Sequence, residues 1–173
     1  MFDQVIESVI LLFVAVDPIA LIPIFASLTQ GLNRQDTEKV YIHASLVAFG
    51  ILSAFWLFGA SLLGVMGISM SSFKIIGGLF LIAIAFQMVF EQRQERRQNT
   101  ADTAVDDETI KSIAIFPLSI PLIAGPGAMA TCLLLTKDSY DSLAEAFVFY
   151  LPIPLIVFLA FIAMWLSSKL ASK

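Results

Sequence analysis

Long apolar runs separated by short polar interruptions set the pattern of this chain. Five windows, 4–28, 40–64, 73–90, 112–136 and 143–167, are built mostly of Leu, Ile, Val, Phe and Ala. A helix needs about 20 mostly apolar residues to cross the hydrocarbon layer of a bilayer, and each window meets that length or comes close. The predicted elements are therefore five membrane-spanning helices. Between them lie a polar link at 29–39, a Gly/Ser/Met turn at 65–72, a charged linker at 91–111 and a second short turn at 137–142. The linker, EQRQERRQNTADTAVDDETIK, has only Ala, Val and Ile as apolar members. Such a segment cannot bury enough apolar surface to offset the entropy of ordering, so it is read as solvated.

Composition agrees with lipid as the solvent. Apolar residues make up 58% of the 173 and charged residues 14%, with mean hydropathy +0.88. Soluble domains are far more polar. The net charge of -4 is spread over the ends and the interruptions, and no basic tract points to nucleic acid. Cys132 is the only cysteine, which excludes an internal disulfide and a Cys-based metal cage; no cofactor is implied. The first eight residues hold Asp3 and Glu7 but no Lys or Arg, unlike the basic start of a cleaved secretory signal, so the first segment is expected to be retained.

Orientation follows from the Lys and Arg positions on alternate sides of the membrane. Lys74 and Lys137 fall on one side. Arg34, Lys39, Arg93, Arg96, Arg97, Lys111, Lys169 and Lys173 fall on the other. This bias predicts a cytoplasmic 91–111 linker and an N-terminus outside.

Two windows resist being continuous helices. The first contains Asp17, Pro18 and Pro23 near its middle. The prolines have no N–H to donate to the carbonyls of Val14 and Ile19, and an ionised Asp at the centre of a span costs roughly 2.5–3.5 kcal/mol on insertion scales. A break solves both problems, with Asp17 as N-cap and Pro18 as the first residue of a second half-helix. The fourth window places Pro117, Pro121, Gly125, Pro126 and Gly127 in one apolar run. There Gly125 and Pro126 offer the same cap and first position. Irregular backbone at this depth survives only inside protein or beside a wet cavity.

Pro18 and Pro23 are five residues apart, as are Pro121 and Pro126, and the pairs are offset by 103 residues. The chain then reads as two halves, 1–90 and 112–173, joined by the 91–111 linker. A three-helix repeat enters the membrane from opposite sides, so the halves would be inverted. Paired broken helices in corresponding positions point to a transporter's midplane site. The third window has no counterpart after the fifth, so a sixth helix is expected to be missing. The fold class is thus an all-α integral membrane bundle of two inverted three-helix halves, the second incomplete.

DPIALIPIF at 17–25, ISMSSFKIIGG at 68–78 and FPLSIPLIAGPGA at 116–128 resemble the MarC family of bacterial inner-membrane proteins, some described as small neutral amino acid transporters. The resemblance implies six helices in two inverted halves, with substrate at the breaks of the first and fourth. Carried over by position, it implies substrate contacts at Asp17, Pro18, Pro23, Pro121, Gly125, Pro126 and Gly127. It departs at Ala20, where the family usually has Gly, so backbone approach to a ligand would be tighter there.

Competing readings accompany each feature. Asp17 is either a binding or proton-coupling carboxylate or a cap that satisfies freed amides, and the Gly125–Gly127 turn either a binding turn or a packing kink. His43 is expected at the interface, Gly77 and Gly78 at a close helix contact, Trp56 in the core, and Tyr140 and Trp165 in aromatic belts. An intramembrane hydrolase would need a nucleophile with a base in reach or two facing carboxylates. One deep carboxylate and a shallow His do not supply that, so no enzyme is expected. The function expected is secondary transport of glycine or alanine with a coupling proton or sodium. The alternative is a non-transporting regulatory or scaffold protein of the membrane.

Overall fold

The computed structural model describes residues 2–89, 113–136 and 141–171, and all regular structure among them is helical. In chain order the elements are α1 (Phe2–Val16), α2 (Leu21–Leu28), α3 (Arg34–Val65), α4 (Met70–Val89), the irregularly wound α5 (Ala114–Ile123), α6 (Pro126–Leu134), α7 (Leu143–Tyr150) and α8 (Pro152–Ala171). The 91–111 linker, Lys137 and Tyr140 lie outside the described residues.

Polar signals set two of the starts. The Asn33 side chain accepts from the Asp36 N–H at 2.9 Å and donates back to the Asp36 carboxylate at 2.7 Å, a reciprocal cap that opens α3. Ser142 accepts from the Glu145 N–H at 3.1 Å, while Glu145 accepts from the Asp141 N–H at 2.8 Å, which opens α7. Prolines are placed where their missing N–H costs little. Pro23 lies in the first turn of α2, and Pro152 and Pro154 in that of α8, where amides have no intrahelical partner anyway.

Three helical runs are long and apolar enough to cross a membrane: Gln4–Leu28, α3, and Leu143–Leu170. A fourth follows if α5 and α6, bent by 52°, form one span. The third predicted window yields an apolar stretch only over Ser71–Ala83. Helix α4 as a whole has 20 residues, about 30 Å at 1.5 Å per residue, the thickness of the hydrocarbon core. By length and apolar composition the described residues thus give three or four candidate spans, where five are expected from the sequence.

Helix α8 packs against α1, α2 and α3; α3 also packs against α5 and α6; and α6 contacts α1 and α4. One buried cluster joins all of these helices but α4, with Leu12, Leu21, Leu52, Leu122 and Ile156 among its fully buried members. Glycine notches admit α6. A Cβ on Gly59 would lie 2.6 Å from Leu133 Cγ, and one on Gly77 would lie 3.0 Å from Leu134 Cδ1. Small residues let membrane helices approach in this way. Of the expected pair, Gly77 makes the close contact, whereas Gly78 has open space beside it. Trp56 packs on the core, its ring 5.2 Å from that of Tyr150, whose hydroxyl lies 2.8 Å from Ser53 Oγ. Outward faces are apolar: Leu57, Phe58, Val65, Ile75 and Leu79 are all exposed. In water such a surface would be a liability, and in lipid it is ordinary.

Candidate functional site

The first break lies where the sequence places it but is wound differently. Asp17 has φ 54°, in the left-handed region that Asp tolerates better than most residues. Its N–H still donates to the Phe13 carbonyl at 2.8 Å, closing α1. Pro18 follows without an N–H, Pro18 to Ala20 form a turn, and α2 begins at Leu21. The Asp17 carboxylate accepts from the Ala20 N–H at a long 3.4 Å. The expected arrangement, Asp17 as N-cap and Pro18 as first helical residue, is thus corrected: Asp17 ends α1, and Ala20 flanks α2 with no side-chain cap. Asp17 is half-buried, Pro18 and Ala20 buried, and Pro23 exposed.

At the second break the expected start holds. Gly125 is extended (φ -74°, ψ 168°) and flanks α6, with Pro126 in the first turn. No side chain caps this end. Gly125 and Gly127 are buried, Pro121 half-buried and Pro126 exposed. Ahead of it, α5 turns irregularly because Phe116 (φ -127°, ψ 124°) and Ile120 (φ -126°, ψ 122°) are extended. Each precedes a proline, which disfavours the helical region for its predecessor. Both prolyl bonds, Phe116–Pro117 and Ile120–Pro121, are cis.

The two five-residue stretches are not wound alike. Helix resumes three residues after Pro18 but five after Pro121. Flanking residues of both breaks, Val16 and Leu21 from the first and Ala124 and Ala128 from the second, belong to the same buried cluster, and α1 packs on α6.

Two polar residues escaped sequence reasoning. Ser119 is fully buried, with Oγ 2.6 Å from the Ala114 carbonyl and 3.0 Å from that of Ala44, which pins α5 to α3. Ser45, beside Ala44, is 7% exposed, and its Oγ has no hydrogen-bond partner. A buried hydroxyl left unmatched is uncommon. Their only sequence signal is a hydroxyl inside an apolar window. His43 is exposed, with Nδ1 2.7 Å from the Lys39 carbonyl. Among the described residues no three His, Cys, Asp or Glu side chains are grouped to hold a metal.

A groove of about 1140 Å³ lies elsewhere, between the α2–α3 link and the last turns of α8, with Arg34, Glu38, Tyr41, Trp165 and Lys169 on its walls. None of the sequence-predicted site residues lines it.

The MarC family model, described as MarC family integral membrane protein, matches residues 2–173. The chain belongs to the MarC family. It is 34% identical over 156 residues to a UPF0056 membrane protein of Buchnera aphidicola, covering 90% of this chain and 70% of that protein. A UPF0056 membrane protein of Methanocaldococcus jannaschii is 35% identical over 137 residues, covering 79% and 60%. The UPF0056 membrane protein YvbG of Bacillus subtilis is 28% identical over 173 residues, covering 100% and 82%. This MarC chain thus spans between 60% and 82% of the length of these three relatives. No solved structure gives a significant match. MarC membership makes the protein an integral membrane protein, in agreement with its apolar spans.

Proposed function

We propose that this protein is a multi-pass secondary transporter of the bacterial inner membrane, carrying a small neutral amino acid such as glycine or alanine. The observation that carries the reading is the pair of backbone interruptions, Asp17–Ala20 and Gly125, within apolar runs of a membrane-embedded chain. Backbone without regular hydrogen bonding is tolerated at that depth where it lines a cavity or is held in protein. The uncapped start of α6, with Gly127 and Ala128 buried, suits an anionic group, because free amides and the helix dipole converge there. The substrate carboxylate would meet those amides and its ammonium the Asp17 carboxylate. Pro18, Ala20, Pro23, Pro121 and Pro126 shape the two turns. Ser45 adds an unmatched hydroxyl on α3.

Two inverted halves, 1–90 and 112–173, would rock about these turns, with a proton or sodium as the coupling ion. The N-terminus would lie outside and the 91–111 linker in the cytoplasm. No covalent chemistry is required, so the reading is non-enzymatic.

Flux of labelled glycine and alanine in proteoliposomes tests the proposal. Wild-type protein should move one of them under a proton or sodium gradient, and Asp17→Asn and Gly127→Leu should each reduce flux about tenfold or more. Flux no higher than in empty vesicles under either gradient would reject transport in favour of a regulatory or scaffold role.

A further inference from the structure

The groove between the α2–α3 link and α8 has a layered chemistry that the break site does not explain. Its charged lining residues are two cations, Arg34 and Lys169, against one carboxylate, Glu38. Lys39, the next basic residue, is engaged by Asp36 at 3.0 Å, whereas Arg34 forms no ion pair among the described residues. Lys169 is held with its Nζ 4.0 Å from the centre of the Trp165 ring. That contact fixes an ammonium beside an aromatic at the end of a span, the usual depth of lipid headgroups. Arg34 opens α3, so its guanidinium stands beside the positive end of that helix.

The remaining wall is apolar. Ile22, Leu166 and Leu170 line it, and Leu166 and Leu170 are 42% and 69% exposed. Leu166 precedes Lys169 by about one turn of α8 and Ile22 lies near the start of α2, so apolar wall is available on the membrane side of the cations for an acyl chain. Size points the same way. Small-molecule pockets run to about 1,000 Å³, and a glycine or alanine would leave most of this 1140 Å³ groove unfilled.

We propose that this groove binds one anionic phospholipid from the adjacent leaflet, its phosphate between Arg34 and Lys169 and an acyl chain along Ile22 and Leu166. The guanidinium's planar fork matches phosphate oxygens, and the ammonium supplies a second point charge. Basic pockets between membrane helices are suited to such headgroups. The site is separate from the breaks and stands whether or not the chain transports amino acids.

Native mass spectrometry of the intact purified chain tests it, with phosphatidylglycerol and phosphatidylcholine of identical acyl chains. Wild type should retain one phosphatidylglycerol about tenfold or more in preference to phosphatidylcholine. Arg34→Gln with Lys169→Gln should abolish the preference, each single variant should weaken it, and Lys169→Arg and the remote Lys74→Gln should keep it. Helical circular dichroism and monodispersity establish that the variants fold. Equal retention of the two lipids, or an undiminished preference in folded Gln variants, would overturn the proposal. Displacement of phosphatidylglycerol by millimolar inorganic phosphate or glycerol phosphate would also overturn it, marking a soluble-anion site.

Discussion

Gly125 illustrates how one residue's requirement can be steric and not conformational. Its dihedrals are open to any amino acid, yet a Cβ there would collide with the Pro121 carbonyl oxygen, a backbone atom that cannot swing aside. Gly125→Ala should therefore lower stability by about 1–3 kcal/mol, the usual cost of overpacking. Gly50, with nothing within 4 Å of its Cβ position, is the control: Gly50→Ala should change stability by less than about 1 kcal/mol. Thermal melts of the two variants in the same detergent distinguish them, and equal melting temperatures would refute the steric account. Asp17 needs a gentler substitution. Asn also tolerates positive φ and can accept from the Ala20 N–H, so Asp17→Asn removes charge while leaving the turn intact. Ser45 is the converse case. Its Oγ is buried without a partner, so Ser45→Ala should leave stability unchanged or raise it by up to about 1 kcal/mol.

At the scale of elements, α6 is fixed by the two glycine notches that receive Leu133 and Leu134. The neighbour of Gly59 is a flexible side chain, unlike the carbonyl facing Gly125, so the added methyl and the leucine should be strongly coupled. Leu133→Ala should cost about 2–5 kcal/mol through the cavity it leaves. Adding Gly59→Ala to it should partly fill that cavity, so the double variant should be more stable than the sum of single effects predicts by about 0.5–3 kcal/mol. Additive losses in chemical denaturation would show that the notch does not govern packing. The start of α6 was legible because Gly-Pro inside an apolar run has few other meanings. The place of the first break was legible too, since a proline pair and a carboxylate are costly in a continuous span. Its winding was not, because whether Asp ends one helix or begins the next depends on a choice of φ that Asp permits either way. The α3 hydroxyl and the groove were invisible for a different reason: Arg34 and Lys169 come to line one groove only after α2, α3 and α8 pack.

For the whole molecule, the distribution of basic residues bears on which face looks inward. With all five apolar windows crossing, eight basic residues, Arg34, Lys39, Arg93, Arg96, Arg97, Lys111, Lys169 and Lys173, would fall on one side, against Lys74 and Lys137 on the other. Basic segments near span ends are retained in the cytoplasm, so the proposed orientation puts the linker inside. The structure contributes one constraint: Arg34 and Lys169 flank the same groove, so the α2–α3 link and the end of α8 share a side. A protease site placed within 91–111 should be cut in inside-out vesicles and protected in intact spheroplasts. Cleavage in spheroplasts would invert the orientation. With all five windows crossing, the linker and the α2–α3 link would share a side, so that result would carry Arg34 and Lys169 outward as well. The anionic lipid of the groove would then come from the outer leaflet, and phosphatidylglycerol confined to the inner leaflet of asymmetric vesicles would no longer stabilise the protein.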